Sequence, residues 1–326
     1  MPIFDEIIGH DRQKRILTGA FTRSRVPTTY LFTGESGIGK RALAVEFGRL
    51  LNCLSPVKGQ EGPDACGECS HCERIKKGVH PDFRMVTPED GMIRIEQVRD
   101  LIEFLSLKAL EAQYKIIIID EAERMNPAAS NAFLKTLEEP PEGSLIILVT
   151  SLPDQLLDTV RSRCFQVRFT PLSRRETEMV LERIGIEGAR KRERLAMLLQ
   201  GCPGRVLEEE DQTGVTEDEI LTHLLPPVKP VRWKDRNEME EWLRKFILMI
   251  RDVAVSGVGI EREEIFMNRK IGRLKDEKSS LIPLERALCL YEETTGLLND
   301  LGYNINHLIA GNYLTYLLRE YYGDTC

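Results

Sequence analysis

The run Leu31-Phe32-Thr33-Gly34-Glu35-Ser36-Gly37-Ile38-Gly39-Lys40-Arg41 sets glycines and a lysine at the spacing of a phosphate-binding loop, G-x-x-x-x-G-K-[ST]. Gly34, Gly37 and Gly39 let the backbone turn its N–H groups inward around an anion. The helix expected to follow adds partial positive charge, and the Lys40 ammonium reaches the terminal phosphates. The last position departs from the pattern. A Ser or Thr hydroxyl should follow the lysine and ligate Mg²⁺; Arg41 stands there instead. The loop is built to hold a nucleotide, or descends from one that was, and its metal ligand is missing.

A second set of groups fits the same chemistry. Lys115-Ile116-Ile117-Ile118-Ile119 reads as a strand buried on both faces, as in a parallel sheet between helices. Asp120 and Glu121 then fall at its carboxyl end, where open α/β sheets bind ligands. Asp120 would orient Mg²⁺ through water, and Glu121 would polarise an attacking water. Taken alone, the pair is an ordinary strand exit; the upstream glycine loop favours the nucleotide site. A third buried strand, 145–149, ends at Thr150, which either touches a γ-phosphate or simply leaves the sheet.

Cys53, Cys66, Cys69 and Cys72 are spaced C-x12-C-x2-C-x2-C. Four thiolates at this spacing can close a tetrahedral Zn²⁺ site, and with every position filled by protein the site is structural. His71 and His80 read as surface histidines beside it.

These groups need a scaffold. An amphipathic helix is expected over 7–21, with Ile16, Leu17 and Ala20 on its apolar face and Arg12, Lys14 and Arg15 on the polar one. Strands 30–32, 83–86, 115–119, 145–149 and 165–169 alternate with helices 42–54, 95–105 and 131–137, giving one doubly wound α/β domain. Pro171 marks a change to helical sequence, with short helices over 176–184 and 193–199. The acidic runs Glu208-Glu209-Glu210-Asp211 and Glu217-Asp218-Glu219 read as a boundary. Helices over 238–254, 283–301 and 305–321 follow. Their apolar stripes, including Trp242, Phe246, Leu288, Leu308, Ile309 and Tyr316, serve a core or a subunit interface. Arg190-Lys191-Arg192 and Asn268-Arg269-Lys270 read as solvated basic faces.

The bulk properties are those of a globular chain. Its 326 residues are 42% hydrophobic and 30% charged, enough for two or three domains. The net charge of -7 argues against a broad nucleic-acid cradle and leaves room for local DNA contacts. No membrane-length apolar run and no secretory signal is visible. Clustered cysteines point to a reducing compartment, so the expected location is the cytoplasm.

Ile8-Gly9-His10, Gly34 to Lys40, the four-cysteine insert, Asp120-Glu121-Ala122, Leu134-Lys135-Thr136-Leu137-Glu138-Glu139-Pro140-Pro141 and Ser162-Arg163-Cys164 together resemble the bacterial DNA polymerase III clamp-loader subunits, of the AAA+ superfamily. Within that family the chain resembles the delta-prime branch rather than the gamma/tau motors. Arg41 replaces the metal-binding hydroxyl, His80-Pro81-Asp82 follows the cysteines, and the chain stops at Cys326 without an extension of the tau kind. The resemblance implies an AAA+ P-loop domain over 1–170 with its four-cysteine zinc module at 53–72. A helical lid over 171–212 and an all-helical collar over 213–326 would complete the chain. It implies a hetero-pentamer with gamma/tau and delta subunits that opens a sliding clamp and loads it on primed DNA. Arg163 matches an arginine finger acting in a neighbour's ATP site, and Arg205 matches a lid arginine that contacts nucleotide. Gly34, Gly37, Gly39, Lys40, Arg41, Asp120 and Thr150 would line this chain's own site for ATP or ADP, with Glu121 a vestigial catalytic group. The alternatives are an active gamma/tau-like motor ATPase and a zinc-dependent DNA-binding regulator. No basic recognition helix follows the cysteines to favour the latter.

Overall fold

A computed structural model describes residues 4–206, 220, 228–257, 283–300 and 306–322. The chain divides into two compact units, Met1–Arg205 and Val206–Cys326. The acidic runs at 208–211 and 217–219, the expected boundary at 212 and Asn268-Arg269-Lys270 lie outside the described residues.

The first unit opens with α1 (Asp11–Thr22), β1 (Thr29–Thr33) and α2 (Lys40–Leu51). A small hairpin, β2 (Val57–Gly59) and β3 (Gly62–Asp64), and a short helix α3 (Ser70–Lys76) follow. Then come β4 (Phe83–Val86), α4 (Ile95–Ser106), β5 (Lys115–Ile119), α5 (Pro127–Glu138), β6 (Ser144–Thr150), α6 (Asp158–Arg161) and β7 (Phe165–Arg168). The unit ends with α7 (Arg174–Arg183), α8 (Ala189–Leu198) and a 3-10 turn at Pro203–Arg205.

Five strands pair in parallel in the order β4-β5-β6-β1-β7. The four isoleucines of β5 show why the sheet sits where it does. Successive side chains alternate between faces. Ile116 and Ile118 pack with Phe47, Leu50 and Phe83 on one side, and Ile117 and Ile119 with Leu101, Phe133 and Leu137 on the other. β1 and β6 divide in the same way, Tyr30, Phe32 and Ile147 to the first core, Leu31, Ile146 and Leu148 to the second. Each buried aliphatic or aromatic side chain contributes roughly 1.5–3 kcal/mol. Both faces are therefore committed to helices, and functional groups are left to the strand ends.

Three sequence expectations change here. Helix α5 starts at Pro127 rather than near 131, because Asn126 Oδ1 accepts the Ala129 N–H at 2.7 Å and proline occupies the first turn. Lys14, expected on a polar face, is buried, and its Nζ donates to the Ile7 carbonyl at 2.5 Å. The hairpin and α3 have no counterpart in the reading of the sequence.

In the second unit, α9 (Arg236–Gly257), α10 (Leu284–Asp300) and α11 (His307–Tyr322) surround a core of Trp233, Trp242, Phe246, Leu290 and Leu314. Trp242 stacks on Phe246 with ring centroids 4.7 Å apart. Gly311 lets α11 approach the Val231 carbonyl, which a Cβ would meet at 2.6 Å. Leu288, Leu308, Ile309 and Tyr316 are exposed, so the core explanation of those stripe positions does not hold among the described residues.

Candidate functional site

β1 lies between β6 and β7, so the loop after it emerges at the carboxyl ends of the strands. The glycine loop takes the backbone geometry its sequence asks for. Gly34, Gly37 and Gly39 have φ of 147°, 78° and 98°, a region costly for any other residue. Gly37 is also a point of close approach. Its carbonyl accepts the Gly204 N–H at 2.8 Å, and a Cβ on Gly37 would meet the Arg205 nitrogen at 2.9 Å. The turn at 203–205 is thus seated on the loop. His10 ties the loop from the other side, its Nε2–H donating to the Ile38 carbonyl at 2.6 Å.

Each cation of the loop is met by groups of this chain. Lys40 is buried and its Nζ donates to the carbonyls of Gly34 and Glu35 at 2.5 and 2.6 Å. Burial lowers its pKa to about 8, against the opposing pull of Glu123 and Asp120. Arg41 Nη1 lies 3.3 Å from Asp120 Oδ2. Arg205 Nη2 donates to Glu35 Oε2 at 3.1 Å. Beside the loop a cleft of about 430 Å³ is lined by Thr33, Gly34, Glu35, Ser151 and Arg168, among others.

The remaining sequence-derived positions divide. Thr150 is buried at the end of β6 and its Oγ1 accepts the Leu152 N–H at 3.1 Å. Glu121 is exposed, with a left-handed φ of 49°, and its carboxylate lies 3.6 Å from Arg124 Nε. The carboxylate that sequence reasoning missed is Glu123. Its Oε1 accepts the Ser151 hydroxyl at 2.6 Å, while its buried Oε2 has no hydrogen-bond partner. The signal was present, an acid three residues after Asp120 where the chain turns out of β5. Arg163 stands apart from the loop residues, before the edge strand β7. Its Nη1 donates to the Thr159 carbonyl at 2.7 Å and its Nη2 pairs with Glu138.

The four cysteines converge. Their Sγ atoms all lie within 4.8 Å of one another, the arrangement of a group that could hold a metal ion. Backbone N–H groups of Cys66 and Cys69 donate to the sulfurs of Cys53 and Cys66 at 3.2 and 3.4 Å. The donor set fits zinc.

His71 and His80 are not surface histidines. Both are buried, with Nδ1 of His71 2.6 Å from Nε2 of His80. Asp82, fully buried, accepts the N–H groups of Leu110, Glu111 and Ala112 at 2.8, 2.9 and 3.0 Å. Burial alone would raise the Asp82 pKa; those three donors outweigh it and hold the carboxyl below its usual value. A depressed carboxyl stabilises the fold above its unfolded pKa and loses that contribution as pH falls through the folded one. Amides 110–112 should therefore stay protected at about pH 4 and open only in stronger acid, as followed by NMR. Asp82→Asn should open them at neutral pH.

A parallel sheet with a glycine loop between β1 and α2 and carboxylates after β5 is the strand–loop–helix arrangement of a P-loop α/β domain. A family model described as DNA polymerase III, delta subunit, matches residues 9–173. A DNA polymerase III subunit delta' of Pseudomonas aeruginosa is 40% identical over 146 residues, 44% of this chain and 43% of that one. A subunit delta' of Yersinia pestis is 32% identical over 254 residues, 72% of this chain and 73% of that one. The chain belongs to this DNA polymerase III delta-subunit family. It spans about half the length of the curated relatives it matches first. The solved structure of a gamma subunit-related protein from Thermotoga maritima overlaps 96% of this chain and 99% of its own, at 19% identity and a TM-score of 0.41. Among the described residues no helix is long and apolar enough to cross a membrane.

Proposed function

We propose that this chain is a delta-prime-type clamp-loader subunit that hydrolyses little or no ATP itself. It would sit in a hetero-pentamer with gamma/tau and delta subunits, which opens a sliding clamp and loads it on primed DNA. Residues 171–212 would act as the lid of the AAA+ domain, and 213–326 as the collar that holds the ring. Arg163 would be its contribution to a neighbour's ATP site.

The observation that carries the reading is the Arg41–Asp120 pair. Asp120 would be the carboxylate that orients Mg²⁺, and the Arg41 guanidinium of the same chain pairs with it at 3.3 Å. Arg41 also removes the first oxygen ligand a metal would take. Lys40 and Arg205 are engaged in the same way by carbonyls and by Glu35. A nucleotide would have to displace these contacts, and its phosphates would then lack a metal. Glu121, facing Arg124, supports the same conclusion.

The test is turnover and nucleotide binding by the purified chain, with and without Mg²⁺. Turnover should be negligible beside that of a motor subunit. Motor-like turnover, abolished by Lys40→Ala, would overturn the reading.

The cysteines would hold one structural Zn²⁺ through Cys53, Cys66, Cys69 and Cys72. Cys69→Ser should lower bound zinc well below one per chain and loosen residues 53–77, leaving helices α9 to α11 folded. Elemental analysis together with limited proteolysis reads both effects. Zinc-free protein after reducing purification would remove the assignment.

A further inference from the structure

We propose that the four-cysteine module is a metal-dependent latch on residues 110–112, acting through His71, His80 and Asp82. The proposal rests on the reading of the four cysteines as zinc ligands.

The hydrogen bonds run in one direction. His80 Nδ1 accepts the Asp82 N–H at 3.0 Å, so that nitrogen carries no proton. The ring proton therefore sits on Nε2, which donates to His71 Nδ1 at 2.6 Å. The chain of donors passes from the Asp82 backbone to His80 and from His80 to His71. Asp82 in turn fixes the amides of Leu110, Glu111 and Ala112 with its carboxylate. His71, His80 and Asp82 are all buried, so none can exchange its partner for water.

The near end of this relay sits within the four-cysteine segment. His71 lies between Cys69 and Cys72 on α3, a helix of only seven residues. A helix that short does not hold itself together in water. Its position depends on packing and on whatever closes the four sulfurs around it. Metal bound there fixes the His71 acceptor; metal removed frees it and leaves the buried His80 N–H unpaired. A second tie runs alongside, from Arg74 of α3 to Glu111 through two hydrogen bonds of 2.8 and 2.6 Å, but it is solvent-exposed and yields easily. The far end precedes β5, where Lys115 Nζ donates to the carbonyls of Leu107 and Lys108. The module thus reaches the segment that leads into the central strand through His71, His80 and Asp82.

The test is amide hydrogen exchange on the full chain, with zinc content measured on the same sample. Removing zinc with a chelator under reducing conditions should speed exchange at Leu110, Glu111 and Ala112 by about tenfold or more. Amides of Ile147 and Leu148 in β6 should not change, which also reports that the domain stays folded. His71→Leu should keep its zinc and still show the faster exchange. His71→Asn offers an acceptor oxygen in place of Nδ1 and should restore the slow rate. Unchanged exchange at 110–112 in the zinc-free chain, or in zinc-loaded His71→Leu, would overturn the latch. Acceleration that extends to β6 would overturn it too, since the effect would be general unfolding. A purified chain without zinc would instead refute the zinc assignment, so the two failures are distinguishable.

Discussion

A loader ring assembled with Arg163→Ala should lose ATP turnover at the neighbouring motor site by roughly 10³-fold. The ring should still assemble and this chain should still fold. The fold offers no reason for a stability loss. Arg163 is one-third exposed, and its guanidinium meets the Thr159 carbonyl and Glu138. An exposed ion pair of this kind is worth about 0–1 kcal/mol. The same small number makes the guanidinium easy to release toward a phosphate across an interface. A planar cation with two parallel donors suits that target better than an ammonium. Arg163→Lys should therefore rescue only part of the loss. The measurement is DNA- and clamp-stimulated ATPase of complexes whose assembly is checked separately. Wild-type rates from an intact ring carrying Arg163→Ala would show a surface arginine and nothing more.

Arg41→Thr should make nucleotide binding by the isolated chain depend on Mg²⁺. The substitution does two things at once. It supplies the hydroxyl that the loop pattern calls for, and it frees Asp120 from its guanidinium partner. Affinity for ATP should tighten by about tenfold or more on adding Mg²⁺, a coupling of about 1.4 kcal/mol. The wild-type chain should show no such dependence. Turnover should remain low in the variant, because Glu121 still faces Arg124 and Glu123 is bound to Ser151. Calorimetric titration with and without metal decides it. If Arg41→Thr binds no better with Mg²⁺, Arg41 is not what keeps the metal out.

The sheet is legible in the sequence because its signals are local. Four isoleucines in a row announce β5, and the glycine spacing announces the turn after β1. The cysteine cluster is legible because the metal-ligand pattern is nearly contiguous. What escapes depends on partners far apart in the chain. Arg41 meets Asp120 across 79 positions, so the missing hydroxyl can be read but not the pair that replaces it. His71 and His80 look like surface residues because nothing nearby announces the loop at 110–112, about thirty positions on, that Asp82 caps. The hairpin and α3 escape for another reason. They are too short for periodicity to register, and each packs on a neighbouring helix, β3 on α1 and α3 on α2, rather than showing a stripe of its own. The onset of α5 has no such excuse, since Asn126-Pro127 is a standard helix start.

The strand order also governs how the chain emerges from a ribosome. β1 is made early, yet both of its neighbours, β6 and β7, come roughly a hundred residues later, near Ile146 and Phe165. At roughly 5–20 residues per second, β1 and the glycine loop wait on the order of ten seconds for a sheet to join. During that wait Tyr30, Leu31 and Phe32 have no strand to pair with. The cysteine module, by contrast, is complete by Cys72 and can close on itself. Synthesis thus delivers the four-cysteine segment between the first strand and the strands that later flank it, and parallel pairing over such separations makes closure of that sheet the slow event.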